Sequence, residues 1–142
     1  MKVVTRRLAL GMTGRFLLAA SSFAAVPGLS IRGKLTRSAD KKAALELPGH
    51  KLIYLEGDEA TIGVLGDQRL WGTDFETVGH FNTPDRFEID AIHNRAMFVH
   101  KDGKRLSISY WCEVCYIRTY TPGICVCCQK YTDLDLQESD RP

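Results

Sequence analysis

Residues 96–112 read AMFVHKDGKRLSISYWC, two apolar-rich runs on either side of Asp102-Gly103. An Asp-Gly pair in that setting predicts a two-residue type I′ hairpin turn, whose central residues both need positive φ. In 105–112 the side chains of Leu106, Ile108, Tyr110 and Cys112 fall on one face, the period of two of a half-buried strand. The hairpin's second strand thus delivers Cys112 straight from the sheet.

The same texture extends upstream. Phe87, Ile89 and Ala91 alternate with Glu88, Asp90 and Ile92, so 86–93 reads as a strand, paired with 75–81 across Asn82-Thr83-Pro84-Asp85. The apolar run 52–55, bounded by Pro48-Gly49 and Gly57-Asp58, predicts a buried strand. Asp58 is placed to cap a short helix over 59–65, with Glu59 in its first turn and Gly63 weakening it. Residues 131–136 offer a closing strand. The expected fold is mainly β: a small antiparallel sheet or partial barrel over 50–142, with a metal-binding four-cysteine hairpin at 111–129 near the C-terminus. No internal repeat is present.

Before residue 50 the composition changes. Residues 29–49 are rich in Lys, Arg, Ser and Ala and read as a linker, or as an N-terminal arm tethered to the domain, with a turn or two of helix over 41–47. Residues 1–28 have the order of an export signal: a basic start without acids, an apolar core at 16–26, FLLAASSFAAV, and the break Pro27-Gly28. That core is too short to span a bilayer, so no permanent membrane span is expected after signal cleavage. Thr5-Arg6-Arg7-Leu8-Ala9-Leu10 resembles the twin-arginine export motif, with Ala9 where an aromatic is usual. A general secretory signal is the alternative, and by either route the mature chain is expected to be periplasmic or secreted.

The formal charge of +2 mixes these regions. Without Lys2, Arg6, Arg7 and Arg15, 15 basic side chains face 17 acidic ones, about −2 overall. A mildly acidic mature chain gives no electrostatic case for nucleic acid. Hydrophobic content of 44% and charged content of 25% are those of a folded domain rather than a disordered one.

All five cysteines lie between 112 and 128. Cys112, Cys115, Cys125 and Cys128 form C-x2-C-x9-C-x2-C, whose two short loops can offer four sulfurs to one tetrahedral ion. With bonds of about 2.3 Å the four sulfurs should converge to within about 4 Å of one another. Cys128 mirrors Cys115, which leaves Cys127 outside the set. Disulfides are the competing reading for an exported chain, but the vicinal pair Cys127-Cys128 is hard to bridge without strain. Zinc is the favoured ion for a closed four-thiolate site; iron and Cu(I) are the softer alternatives.

The run from Trp111-Cys112 through Pro122-Gly123 to Cys128 resembles a short zinc ribbon and the rubredoxin-like tail of rubrerythrins. The likeness covers about a seventh of the chain. It implies a structural four-cysteine site with zinc, or with iron in the rubredoxin-like case. Those families place Gly directly after each loop's second cysteine, where this chain has Tyr116 and Gln129, a departure that disfavours the tight knuckle turn and with it iron. The chain as a whole resembles exported bacterial proteins with a twin-arginine-like signal, which implies no activity.

His50, His80, His93 and His100 lack ligand-pair spacing and read as surface or edge-strand residues, although His93 and His100 on adjoining strands could meet an ion. Glu113 reads as a loop acid. Arg118, at the hairpin tip, could donate to a thiolate or pin a partner, and Trp71, Trp111, Tyr116 and Tyr120 could pack over the hairpin as a second small core. No Ser-His-Asp order, nucleophile elbow, phosphate-cradling loop or haem-attachment signature occurs, so an enzyme is the minority reading. The expectation is a non-catalytic interaction or accessory module with a protein partner in the cell envelope. A rubredoxin-like electron-transfer or thiol-redox protein and a copper or zinc handling protein, with Cys127 as an extra soft ligand, are the alternatives.

Overall fold

The Asp102-Gly103 turn forms with φ of 53° and 75°, the left-handed pair that a type I′ turn needs. It joins β6 (Met97–Lys101) to β7 (Lys104–Cys112), paired in register from Lys101↔Lys104 to Phe98↔Ser107. The computed structural model describes residues 28–139. Apart from Gly28, the expected export signal at 1–28 lies outside the described residues.

Residues 29–49, expected to be a linker, instead supply two strands, β1 (Leu29–Arg37) and β2 (Ala43–Leu47). β1 pairs antiparallel with β2 through Lys34–Arg37 and with β4 (Asp74–Thr83) through Leu29–Lys34. β2 pairs with β3 (Lys51–Glu56), β3 runs parallel to β5 (Arg86–Ile89), and β5 pairs back onto β4. The circuit β1-β2-β3-β5-β4-β1 closes a five-stranded mixed barrel, which leaves the barrel without a free edge. The β3–β5 pair makes it mixed where an antiparallel sheet was expected.

The parallel step requires a crossover, and the helix α1 (Glu59–Leu65) lies on that path. Asp58 caps it as expected, its carboxylate accepting from the Thr61 N–H at 2.8 Å. Val64 and Leu65 then join Leu35, Leu45, Ile53, Phe75 and Phe87 in a core from which water is excluded. Each such side chain contributes roughly 1.5–3 kcal/mol by burial.

β4 is where barrel and second sheet meet. Its first half, 74–77, pairs with β6, and its second half, 79–83, pairs with β5 along the same edge. The changeover falls at Gly79, where a Cβ would stand 1.9 Å from the Glu88 carbonyl oxygen. Only glycine lets β5 approach there. Strand β5 ends at Ile89 rather than at 93, and a one-turn helix, α2 (His93–Ala96), leads into β6.

The second sheet continues from β6 to β7, which carries β8 (Ile117–Thr119) and the closing strand β9 (Asp133–Glu138). Asp133, Asp135 and Glu138 lie on β9, and such charges discourage pairing with another chain. A half-buried ionic strut ties this sheet to the barrel. The Glu76 carboxylate of β4 accepts from Ser30 Oγ at 2.7 Å, His100 Nε2 at 2.6 Å and Arg105 Nη2 at 2.9 Å. A second link runs from Arg69, bonded to Asp67, over the Tyr110 ring and on to the Thr132 carbonyl at 3.3 Å. Among the described residues no helix is long and apolar enough to cross a membrane.

Candidate metal centre

Strand β7 carries Cys112 to its end, and the chain turns back at once. The Tyr116 N–H donates to the Cys112 carbonyl at 2.9 Å, and β8 returns beside β7 with Cys112 opposite Ile117. The second loop repeats the device. The Gln129 N–H donates to the Cys125 carbonyl at 3.0 Å, and Cys125 N–H donates to the Lys130 carbonyl at 2.7 Å. The Ile124↔Tyr131 bridge and the bonds from Thr132 to the Gly123 carbonyl close this loop at its base.

Both knuckles end in the left-handed region: Tyr116 has φ 54° and Gln129 φ 61°. The absence of glycine there was expected to disfavour the tight turn, and the turn forms regardless. Each non-glycine residue in that conformation costs on the order of 1–2 kcal/mol, a strain that persists only where the surroundings over-determine it.

The two knuckles bring Cys112, Cys115, Cys125 and Cys128 together, with their four Sγ atoms within 4.8 Å of one another. A tetrahedron with 2.3 Å bonds has edges of about 3.8 Å, so closing on an ion asks for a contraction of up to about 1 Å. The approach of Cys112 Sγ to Cys128 Sγ, at 3.5 Å, is far from the roughly 2.05 Å of a disulfide. All five cysteines are free thiols. Cys127 is exposed and outside the four, as the spacing implied.

The electrostatics of the cluster suit a cation. The Cys125 thiol is drawn down to about 7 by the backbone N–H groups of Cys128 and Cys127, with the Cys112 and Cys128 thiols assisting against burial. Cys115 is pushed up, first by its bond with Cys127, then by burial and by Cys128 and Cys125. Sulfurs this close cannot all become thiolates beside one another, so one ionises early and another holds its proton. A bound cation removes that conflict. The donor set therefore fits a metal ion.

The other expected participants lie elsewhere. No histidine joins the cluster among the described residues: His100 bonds Glu76, and His93 Nε2 lies 3.0 Å from the Tyr120 carbonyl oxygen. Arg118 reaches neither a thiolate nor solvent alone; it donates to Ser109 Oγ at 2.6 Å and Asp135 Oδ2 at 2.5 Å beneath the Trp111 ring. The second aromatic core does not form. Trp71 belongs to the barrel, where its Nε1–H donates to the Leu65 carbonyl. Trp111 meets Tyr116 edge-on at 6.1 Å, while Tyr116 and Tyr120 are exposed.

Between 112 and 131 only the side chains of Cys112 and Cys125 are buried. Over the same stretch Val114, Tyr116, Ile117, Tyr120, Ile124, Val126 and Tyr131 are exposed, Val126 and Tyr131 at 86% and 83%. Sequence reading missed this apolar surface because aromatic and aliphatic residues beside a strand read as core; its available signal was the scarcity of charge, with only Glu113, Arg118 and Lys130 in 113–131. No protein-family model matches the chain, and no curated protein or solved structure matches it.

Proposed function

We propose that this protein is an exported, non-catalytic interaction module. One structural zinc ion held by Cys112, Cys115, Cys125 and Cys128 fixes the C-terminal hairpin, and the hairpin presents an apolar face to a protein partner in the cell envelope. One observation carries the reading: the hairpin's only buried side chains are two of the four clustered cysteines, while seven large apolar residues face outward. A segment without an apolar core needs a cross-link to hold its shape, and metal ligation supplies folding free energy directly. An exposed apolar patch of this density, bearing three tyrosines, is characteristic of surfaces that become buried on association. The basic, short-cored N-terminal sequence supports export.

Iron is the second reading, and the knuckles favour it more than the sequence did. The left-handed Tyr116 and Gln129 restore the turn, and the backbone N–H groups of Cys127 and Cys128 draw the Cys125 thiol down, an influence of the kind that tunes an iron–thiolate potential.

Metal analysis of the purified mature protein separates the two. The expected result is a colourless protein with about one zinc per chain, reduced to none in Cys112→Ser. A red protein with thiolate-to-iron absorption, bleached reversibly by dithionite, would replace the zinc reading with electron transfer. For the docking face, a photo-crosslinker at Val126 should trap a partner in the native envelope, while Tyr131→Asp abolishes the adduct and keeps the metal. Adducts unaffected by Tyr131→Asp would remove the docking role.

A further inference from the structure

A cavity of about 650 Å³ opens on the barrel, remote in sequence from the cysteines, between the β1–β2 loop, the end of β3 and helix α1. Its size is that of a small-molecule site. The walls are apolar: Leu65 and Ile62 of α1, Tyr54 of β3 and the Trp71 ring. The indole N–H is already satisfied by the Leu65 carbonyl at 3.2 Å, so Trp71 offers the cavity only its ring.

Above that ring lies Arg37, its guanidinium carbon 5.0 Å from the ring centroid. Five other arginines, Arg32, Arg69, Arg86, Arg105 and Arg118, each hold a carboxylate. Arg37 holds none among the described residues. Its Nε donates to the Lys41 carbonyl at 3.0 Å, which orients the group and leaves its two terminal nitrogens without an acceptor among the described residues.

The loop that does this is internally locked. Ser38 N–H bonds the Lys42 carbonyl, Lys41 N–H bonds the Ser38 carbonyl, and the Ser38 hydroxyl accepts from the Lys42 N–H. Lys41 is held at φ 63°, a conformation a lysine adopts only under such constraint. Lys41 and Lys42 also have no ion-pair partner among the described residues. Of the two acids lining the cavity, Glu56 is engaged by Arg86 at 2.8 Å, which leaves Asp40 alone against Arg37, Lys41 and Lys42. The rim is therefore cationic although the mature chain is mildly acidic.

We propose that this cavity binds a small aromatic oxyanion, a carboxylate or phosphate monoester on a flat ring, with Arg37 taking the anion and the apolar walls taking the ring. A guanidinium held over an indole, with its Nε already bonded to Lys41, keeps its two terminal nitrogens for two parallel N–H···O bonds, the strong bidentate arrangement. The site is independent of the metal centre and of the reading given for the hairpin.

The test is a titration of the full mature protein, metal bound, with 2-naphthoate, 2-naphthyl phosphate and the neutral 2-naphthamide, followed by the NMR signals of the Trp71 indole N–H and the Lys41 and Lys42 amides. At least one anion should shift all three signals with a Kd below about 1 mM. Naphthamide should bind at least about tenfold more weakly, and whichever anion binds better identifies the preferred group. Arg37→Gln should weaken the anion by about tenfold or more while leaving naphthamide unchanged. Ile62→Glu, a change at a half-exposed position on α1, should weaken the anions by adding a like charge at the rim. Equal binding of acid and amide, an unaltered anion affinity in Arg37→Gln, or no shift with either anion would each overturn the proposal.

Discussion

In the barrel, Leu35, Leu45, Ile53, Leu65, Phe75 and Phe87 meet around one interior and are at most 2% exposed. In the hairpin, the interior consists of two buried cysteines and the sulfurs of two half-buried ones. The barrel's interior is filled by side chains that need nothing but one another, since each buried apolar surface is stabilising on its own. The hairpin's interior is a set of thiols that repel one another when ionised and that pack poorly when not. Stability is divided accordingly. Under the proposed function, the barrel is specified by burial and the hairpin by a ligand, which releases the hairpin's apolar residues to the surface. Its knuckles add strain at Tyr116 and Gln129 that burial does not repay.

The largest test of this division is Phe87→Ala. Phe87 is fully buried and edge-on to Phe81 at 5.0 Å, so truncation should cost about 3–5 kcal/mol of global stability. If the two regions are separate in origin, denaturant unfolding should show the same loss with metal present and after chelation. A loss that depended on the metal would break the comparison.

Smaller and more informative is Glu76→Gln, because Glu76 bonds Ser30 of the barrel and both His100 and Arg105 of the second sheet. Burial alone would push its carboxyl up; the bonds from His100 and Ser30, with Arg105, outweigh that and hold it below the usual carboxylate range. A depressed folded value means the contribution is complete above the unfolded value of about 4.3 and is lost as pH falls through the folded one. At neutral pH the variant should be less stable by about 1.5–3 kcal/mol, with the gap to the native protein narrowing in acid. A gap independent of pH would show that the strut contributes shape rather than charge.

The smallest expected effect lies in the hairpin itself. Gln129→Gly relieves a left-handed glutamine at the cost of added chain freedom, and should stabilise the metal-bound hairpin by about 1 kcal/mol, read as slower metal loss to a chelator. Faster loss would mean that the Gln129 side chain, rather than its backbone, supports the site.

Much of this architecture is written in short-range pattern. The Asp102-Gly103 turn, the Asp58 cap and the C-x2-C pairs are each decided within a few residues, and each formed as read. Sequence and structure part where local composition and tertiary role diverge. β1 is rich in Lys, Arg and Ser because its alternate side chains face water, yet Leu29, Ile31 and Leu35 keep a period of two broken only by Gly33. Composition masks that periodicity, so two barrel strands read as a linker. Barrel closure itself rests on the parallel β3–β5 pairing and on Gly79, which no local signal reveals. The cavity is hidden for the same reason, since Arg37, Lys41 and Lys42 all lie in the supposed linker.

The central claim is that a metal ion is the core of the hairpin. Hydrogen exchange of the metal-replete full chain, before and after a zinc chelator, tests it most directly. The expected result is loss of protection confined to 112–131, including the Tyr116 and Gln129 amides that close the knuckles, while amides of β3 and β5 stay protected. A hairpin that keeps its protection after the metal is gone would contradict the claim, and so would a chelator that unfolds barrel and hairpin together.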